Sequence, residues 1–320
     1  MSTDPALVSV VIPTYNYGHC VAEAVDSALG QTYPAVEVLV IDDGSTDDTR
    51  QRLAGYGDRI RYIHQPNAGL SAARNTGIRA ARGAFVALLD SDDAFHPRKL
   101  ELQMGYLTSH PEVPFLAADQ LDGPTQPPWP TLTDSPPVRR VGLDELVVKA
   151  RFGPGGVVVR KDCFDRVGLF DESLRSVEDR DMWIRLATRF SIGLMQSPLW
   201  WYRSQPGSMS RNAEKMTHYE RVVLDKAFAM PELNRRRLLR RKAMGLATYS
   251  AAYMFVENGR PGTAAKLMAQ SVAWWPIPFR PPDVRMPLAR ARLAARVARV
   301  LASPRPRMTG HAPQPTPTTG

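Results

Sequence analysis

The 320-residue chain is 43% hydrophobic and 23% charged, the composition of an ordinary globular protein with room for one large domain and a smaller one. Its two cysteines, Cys20 and Cys163, exclude a disulfide framework, and no apolar run approaches the ~20 residues of a transmembrane helix. The net charge of +9 is uneven, because residues 234–307 hold 16 Lys and Arg but only Glu257 and Asp283 as acids. This asymmetry predicts an anionic partner, either a membrane surface or nucleic acid.

The first ninety residues alternate between strand and helix patterns. Short β-branched apolar runs predict strands, and segments with apolar residues at helical spacing predict the helices between them. The predicted strands are 7–13, 36–41, 60–63 and 85–89, and the predicted helices are 19–29, 48–54 and 71–81. Alternation at this spacing predicts right-handed βαβ units and a parallel sheet.

Polar and acidic residues follow three of these strands at the point where each one ends. In open α/β sheets, ligands bind outside the carboxyl ends of the strands. Two carboxylates two residues apart can hold one hard cation, although an isolated D-x-D is equally compatible with a solvated acidic turn. Three such loops at one sheet edge favour a binding site over the acidic turn. The residues concerned are Thr14, Tyr15 and Asn16, then Asp42 and Asp43, and finally Asp90, Asp92 and Asp93.

The second half of the chain is less regular. Residues 122–140, rich in Pro and Asp, predict a surface loop, and the Pro- and Thr-rich segment 303–320 predicts disorder. Between them we predict strands at 157–159, 192–195 and 199–202, and helices at 162–167, 182–189, 235–256, 263–274 and 288–301, with helical pattern from about residue 217 onward.

Five segments, taken together, resemble the ordered motif set of the family 2 glycosyltransferases. They are VSVVIPTYN (8–16), VLVIDDGSTDDT (38–49), NAGLSAARNTGI (67–78), LLDSDD (88–93) and VEDRDMWIRL (177–186). The resemblance covers about residues 6–210 and implies an inverting enzyme that uses a nucleotide-diphospho-sugar. It also implies the GT-A fold, an α/β architecture with a Rossmann-like, mostly parallel central sheet flanked by helices, here with a C-terminal helical extension.

The resemblance divides the chain into predicted regions. Residues 1–215 would form the catalytic domain, with a nucleotide-sugar half at about 1–115 and an acceptor half at about 116–215. Residues 216–302 would form the helical C-terminal region, and residues 303–320 the disordered tail.

The resemblance also assigns donor-binding roles to residues of the first four motifs. Tyr15 would stack on the nucleobase and Asp43 would bind the base edge, whereas Asp42 would cap the next helix. Arg74 would reach the base or the diphosphate with its fork of donors. Asp90 would hold the ribose or a metal-bound water. The full predicted donor-binding set is Pro13, Thr14, Tyr15, Asn16, Asp43, Asn67, Gly69, Arg74, Asn75, Asp90 and Ser91.

Two further carboxylates carry the implied chemistry. Asp92, with Asp90, would bind a divalent cation, Mg²⁺ or Mn²⁺, that bridges the donor phosphates, while Asp93 would cap the segment after it. Asp179 matches the general base of the family, although it competes with Asp181 for the role of a helix-capping acid. Gln205 stands where many members of the family have a His near the diphosphate or metal, so a third protein ligand to the metal is in doubt.

The predicted function is transfer of a sugar, UDP-linked by preference, to a saccharide or lipid-linked acceptor in cell-surface polysaccharide or glycolipid assembly. The N-terminus shows no secretory signal, so we expect a cytoplasmic protein, peripheral to the inner face of the membrane if the basic 288–301 helix binds anionic lipid. The alternative for that helix is packing on the catalytic domain. The alternative functions are a nucleotidyltransferase and a non-catalytic scaffold for an anionic surface; nucleic acid is disfavoured, since the basic residues lack interleaved aromatics.

Overall fold

The computed structural model describes residues 4–204, 211–281, 283–284 and 288–302. Gln205 and the tail at 303–320 lie outside the described residues. The strands are β1 (Val8–Thr14), β2 (Val36–Asp42), β3 (Arg61–His64), β4 (Phe85–Leu88), β5 (Ala94–Phe95), β6 (Phe115–Gly123), β7 (Val138–Val141), β8 (Val158–Arg160) and β9 (Ile192–Arg203). The helices are α1 (Val21–Leu29), α2 (Thr49–Ala54), α3 (Leu70–Ala80), α4 (Lys99–Ser109), α5 (Leu143–Val148), α6 (Asp162–Val167), α7 (Glu178–Ala187), α8 (Ala213–Ala227), α9 (Arg237–Glu257), α10 (Pro261–Trp274) and α11 (Ala289–Ala302).

The described strands form one sheet in the order β3-β2-β1-β4-β8-β6-β9-β5, with β7 also paired to β9. The predicted parallel arrangement holds for β3, β2, β1 and β4. The second half is mixed, because β8 runs antiparallel to both of its neighbours while β6 and β9 form a long parallel ladder. The parallel order brings the carboxyl ends of β1, β2 and β4 to one edge of the sheet.

Alternate residues of the central strands face opposite layers of helices. In β1, Val10 and Ile12 pack with Val25 of α1, whereas Val11 packs with Ala73 of α3 on the other face. A strand that is buried on both faces needs a continuous apolar run, which is why β1 shows no polar alternation. Each such side chain contributes about 1.5–3 kcal/mol by leaving water.

The C-terminal helices share the core of the sheet. The apolar cluster around Val11 continues through Trp183 of α7 to Leu224 of α8 and Met244 of α9. A second, smaller cluster joins α9 and α10 to Leu293 and Val297 of α11, which are almost fully buried. The apolar face of α11 therefore packs on the protein, which is the alternative to insertion into a membrane.

Several elements differ from the sequence prediction. β6, β7 and α5 were not predicted, and β7 lies inside the segment expected to be a loop. It is a short edge strand that pairs only with β9, and its sequence VRRV shows no apolar alternation. β9 is one strand rather than two, since Pro198 falls at a register shift where the ladder to β6 is interrupted. α8 begins at Ala213, four residues before the predicted helical region.

No helix in the described part of the chain has both the length and the apolarity that a membrane span requires.

The glycine-rich turn at residues 153–156 packs closely against the indole ring of Trp200. A Cβ placed on Gly155 would lie 2.2 Å from Trp200 Cε3, whereas a Cβ on Gly105 of α4 would meet nothing within 4 Å. We expect Gly155→Ala to lower the free energy of unfolding by about 1–3 kcal/mol through overpacking. Gly105→Ala, in an exposed helix interior, should instead be neutral or stabilise by about 0.5–1 kcal/mol. Urea unfolding of both variants tests this; equal stability of the two would contradict the packing described.

Candidate active site

The carboxyl ends of β1, β2 and β4 open into a cleft of about 810 Å³. Its far side is formed by the start of α7 and by the helices α8 and α9. The structure brings most of the predicted site residues to the lining of this one cleft. They are Pro13, Thr14, Tyr15, Asp43, Asn67, Gly69, Arg74, Asp90, Ser91, Asp92 and Asp179.

The loop after β1 presents one exposed ring to the cleft. Tyr15 is 45% exposed, as a side chain that stacks on a ligand would be before the ligand binds. Asn16 lies outside the cleft lining and braces two loops instead. Its backbone is left-handed at φ 58, and its Oδ1 accepts from the backbone N of Thr46 at 2.7 Å. Asn16 fills this loop-bracing role because its short amide tolerates the left-handed conformation. Its contact with the donor stays a prediction.

The two acids after β2 both bind within the protein. Asp42 accepts from the backbone N of Ser45 at 2.8 Å and from Tyr62 Oη at 2.5 Å, so it holds the turn after β2. It does not cap α2 as predicted, because that helix follows Asp48 and has no side-chain cap. Asp43 lines the cleft, but its carboxylate accepts from the backbone N of Ala68 and of Gly69 at 2.9 and 2.7 Å. Asp43 thus shapes the 67–69 loop. Gln65 Nε2 also donates to Oδ1 of Asp43 at 2.7 Å, so the second lone pair that a ligand could use is on Oδ2.

Asn75 does not reach the cleft. Its Nδ2 donates to the Phe170 carbonyl and to Glu172 Oε1, both at 2.9 Å, and its Oδ1 accepts from the backbone N of Phe170 at 2.8 Å. Both of its amide hydrogens and one lone pair of Oδ1 thus fasten α3 to the chain before α7. Donor binding by Asn75 stays a prediction that these contacts do not support.

A buried arginine joins the motifs that carry the two kinds of acid. Arg74 is 1% exposed, and it donates to Asp90 Oδ1 and to Glu178 Oε1, each at 2.6 Å. Although burial opposes it, the negative charges of Asp90 and Glu178 raise the pKa of the Arg74 guanidinium. The reach of Arg74 to the base or diphosphate stays a prediction; two donor groups of its fork are held by carboxylates, and its buried Nε has no partner among the described residues. The ion pair fixes the D-x-D loop relative to the start of α7.

The D-x-D loop, residues 90–93, places three carboxylates close together: those of Asp90, Asp92 and Asp93. Fewer cationic side chains than carboxylates lie beside them in the portion of the chain that the structure describes. Burial, and then the charge of Asp90, raises the pKa of Asp92 to about 6. Burial and the charges of Asp90 and Asp92 raise the pKa of Asp93, whose Oδ1 accepts from the backbone N of Arg203 at 2.9 Å. Asp93 therefore anchors β9 and has no contact that would make it the cap of α4.

The carboxylates of the D-x-D loop are suitable ligands for a divalent cation. Crowded carboxylates with raised pKa values gain when a cation replaces their protons, and Oδ2 of Asp93 is buried without a hydrogen-bond partner among the described residues. Over the same described residues, no three His, Cys, Asp or Glu side chains are arranged to hold a metal by themselves. That matches Mg²⁺, which binds through one or two carboxylates while substrate phosphates and waters complete its shell. Asp92 and Asp90 are the residues that would hold it.

Asp179 stands in the first turn of α7, next to the acid that pairs with Arg74. Burial, and then the charge of Glu178, raises the pKa of Asp179 to about 7, while Arg74 acts in the opposite direction. Its Oδ1 accepts from the backbone N of Arg180 at 2.7 Å. Asp181, the competing acid, is 1% exposed and bonded to Arg185 and Lys226, so its role is structural.

The residue that precedes this pair of acids has an unusual backbone. Val177 is left-handed at φ 61, a conformation that costs about 1–3 kcal/mol for a residue without special stabilisation. It begins α7 without a capping side chain. Such strain is found where the surroundings fix a functional segment in place. Here it sets the direction in which Glu178 and Asp179 enter the cleft.

Sequence reasoning missed other lining residues. Tyr17 lines the cleft, and burial, followed by the charge of Asp92, raises its pKa to about 12. Arg175 donates to the Ala68 carbonyl at 3.2 Å and covers Gly69, where a Cβ would lie 2.5 Å from the guanidinium. Its position three residues before Glu178 was the available signal. Lys215 of α8 and Met254 of α9 also line the cleft, but their segments showed no motif.

Comparison with known proteins accounts for this arrangement. A family model described as "Glycosyl transferase family 2" matches residues 9–161, just under half of the chain. This segment belongs to glycosyltransferase family 2. The match includes the loops after β1, β2 and β4, while Asp179 and the C-terminal helices lie beyond it.

Related proteins carry glycosyltransferase names. "Uncharacterized glycosyltransferase RP339" of Rickettsia prowazekii is 31% identical over 195 residues, which are 58% of this chain and 60% of that protein. "UDP-Glc:alpha-D-GlcNAc-diphosphoundecaprenol beta-1,3-glucosyltransferase WfgD" of Escherichia coli is 42% identical over 106 residues, 32% of this chain and 42% of that protein. The chain thus spans about three-fifths of the length of the first curated relatives that it matches.

Solved structures support the GT-A fold of this family 2 member. S. aureus TarS 1–349, crystallised with UDP-GlcNAc, superposes with a TM-score of 0.56 at 19% identity, covering 84% of this chain and 89% of TarS 1–349. The mannosyltransferase PcManGT of Pyrobaculum calidifontis, in complex with GDP-Man and Mn²⁺, gives a TM-score of 0.55 at 20% identity, with 94% and 88% covered. The predicted α/β GT-A architecture with C-terminal helices is confirmed.

Proposed function

We propose that this family 2 member is an inverting glycosyltransferase that moves a sugar from a nucleotide-diphospho-sugar, UDP-linked by preference, to an acceptor hydroxyl. The observation that supports it most directly is the pair of bonds from Arg74 to Asp90 and Glu178. They join the D-x-D loop to Glu178, the residue before Asp179, whose own pKa is raised by burial and by the charge of Glu178. A nucleotidyltransferase or a non-catalytic scaffold has no such support, and neither agrees with the family.

The donor would lie along the ends of β1, β2 and β4. Tyr15 offers a ring for the nucleobase, and the 67–69 loop, shaped by Asp43, forms the floor beside it. The UDP and UDP-GlcNAc complexes of TarS support a UDP donor. Pro13, Thr14, Asn67, Gly69 and Ser91 line the same end of the cleft.

Asp92 and Asp90 would hold the divalent cation, Mg²⁺ or Mn²⁺, as the Mn²⁺ complex of PcManGT suggests for this fold. A bound cation supplies positive charge that neutralises the leaving nucleoside diphosphate, an effect worth several kcal/mol.

Asp179 would act as the general base. Its carboxylate takes the proton of the acceptor hydroxyl as that oxygen attacks the anomeric carbon, while the bond from this carbon to the diphosphate oxygen breaks on the opposite face. A pKa of about 7 suits a base that works near neutral pH, where ionisation and proton affinity are balanced. One displacement inverts the anomeric configuration.

The acceptor would be a saccharide or a lipid-linked saccharide in cell-surface polysaccharide or glycolipid assembly. WfgD, whose name specifies a diphosphoundecaprenol-linked acceptor, supports this. We further propose that residues 1–215 form the catalytic domain and 216–302 a helical region that completes its cleft. The positive charge of residues 234–307 would hold the enzyme at the cytoplasmic face of an anionic membrane through arginines rather than through the buried face of α11.

The donor and cation part of the proposal is tested with Asp92→Asn. We expect at least a hundredfold weaker Mn²⁺-dependent binding of UDP, since the amide cannot offset the cation's charge. In the unchanged protein, UDP binding should weaken below about pH 6, where Asp92 becomes protonated and the cation must displace that proton.

Asp58→Asn, an exposed aspartate far from the cleft, is the matched control and should bind UDP normally. Titration calorimetry with and without Mn²⁺ measures both effects. Metal-independent UDP binding, unchanged in Asp92→Asn, would refute the cation site.

A further inference from the structure

The cleft continues past the acids of the proposed donor and base sites. Its far wall is built by α8 and α9, which lie outside the segment matched by the family model. The wall carries both cationic and apolar side chains. The cationic one on α8 is Lys215, and the apolar ones on α9 are Leu246, Ala247, Ala251 and Met254.

Two cationic side chains line the cleft where α8 meets the chain before α7. Ser176 Oγ lies 3.1 Å from Met216 Sδ, and the preceding residue on each segment, Arg175 and Lys215, lines the cleft. Within the described residues neither cation forms an ion pair, whereas Arg180 nearby is paired with Glu220. A guanidinium and an ammonium together in a cleft form a site suited to a phosphate or diphosphate group.

An apolar strip lies on the same wall. Leu246, Ala247, Ala251 and Met254 fall on one face of α9 by helical spacing and line the cleft. Methionine adapts its shape to flexible hydrocarbon chains. Leu246 and Ala251 are almost fully buried, and Met254 packs against the cluster of α9, α10 and α11, so the strip meets the cleft along its edge. The contacts proposed for the nucleotide-sugar use none of these residues. A ligand that uses both features is anionic at one point and apolar beyond it.

We propose that this wall is the acceptor subsite for a lipid phosphate-linked saccharide. Arg175 and Lys215 bind its phosphate or diphosphate, and the first carbons of its hydrocarbon chain lie along the α9 strip. The proposal rests on the proposed function and names its acceptor class: an anionic amphiphile rather than a free saccharide.

The test uses farnesyl diphosphate, farnesol and inorganic pyrophosphate as probes, each titrated in the presence of saturating UDP and Mn²⁺. Saturation with UDP removes binding of a probe's diphosphate at the donor position. We expect farnesyl diphosphate to bind at least tenfold more tightly than either of the other two probes, because only it engages both the cations and the strip. Equal affinities, or loss of farnesyl diphosphate binding as UDP is added, would overturn the proposal.

Two variants separate the two halves of the subsite. Lys215→Ala should weaken farnesyl diphosphate about tenfold and leave farnesol unchanged, and Met254→Glu should weaken farnesyl diphosphate and farnesol but not pyrophosphate. Lys266→Ala and Val272→Glu, at exposed positions of α10, are the matched controls and should change nothing. The proposal fails if the controls weaken the probes as much as the cleft variants do.

The experiments distinguish a wrong assignment of this subsite from a wrong proposed function. Both cleft variants should retain Mn²⁺-dependent UDP binding, because Arg175 and Asp92 are unchanged. If UDP does not bind to the unchanged protein, the proposed function is wrong, and the three probes, titrated without UDP, still report on the subsite alone.

Discussion

Replacing Asp179 by Asn is expected to lower kcat for sugar transfer by about 10²- to 10⁴-fold while Mn²⁺-dependent UDP binding stays within about twofold of normal. The carboxamide has nearly the same shape as the carboxylate but cannot accept the proton of the acceptor hydroxyl. Because Asp179 is partly buried beside Glu178, the uncharged amide should also be tolerated by the fold. Steady-state transfer assays and UDP titration measure the two quantities separately.

The pH dependence gives a second test of the same assignment. With a pKa of about 7, Asp179 is protonated at lower pH, so transfer should rise as pH increases through 7 and then level off. The residual activity of Asp179→Asn should lack that rise. Asp165→Asn, an exposed aspartate on α6, controls for the change itself and should keep full activity and the rise. An Asp179→Asn enzyme of normal rate would show that the base lies elsewhere.

Replacing Arg74 by Met is expected to have the largest effect on stability. Removing one partner of a buried ion pair leaves uncompensated charge and typically costs about 3–5 kcal/mol. Here two acids lose their partner, Asp90 at 26% and Glu178 at 8% side-chain exposure. Denaturant unfolding should show the loss directly.

The same variant should also change catalysis in a way that simple destabilisation does not. The positive charge of Arg74 lowers the pKa of Asp179, so without it this pKa should rise and the increase of transfer rate with pH should move above pH 7. Arg74→Lys keeps the charge but not the fork and should shift the profile less. The double variant Arg74→Met with Glu178→Gln should recover part of the lost stability. An unchanged pH profile in folded Arg74→Met would refute the link between the two motifs.

Much of the catalytic half could be predicted from the sequence, because its signals are local. The apolar runs of β1, β2 and β4 are continuous, and the helices between them show helical spacing, so the βαβ order follows directly. The convergence of Tyr15, Asp92 and Asp179 on one cleft follows from that order together with the motifs.

The features that the sequence did not predict share one physical reason: each depends on a contact between segments that are distant in the chain. β7 pairs only with β9, and its register is set by that partner rather than by its own pattern. The bond between Arg74 and Glu178 joins residues that are 104 positions apart, and no local rule predicts it. From the sequence, the fork of Arg74 was expected to reach a ligand. The side chain of Asn75 likewise bonds to the backbone of Phe170, 95 residues away.

The origin of the two sides of the cleft bears on how such enzymes diversify. The loops at the strand ends form one side of the cleft, and the solvent-reaching face of α9 forms the other. The loops tolerate little change because they brace one another. Mutational drift on that helix can retune which molecule is glycosylated while the nucleotide-reading loops stay intact. Leu246 and Ala251 are exceptions, since both line the cleft but are almost fully buried. Selection experiments aimed at new products would therefore gain most from randomising Ala247, Ser250 and Met254.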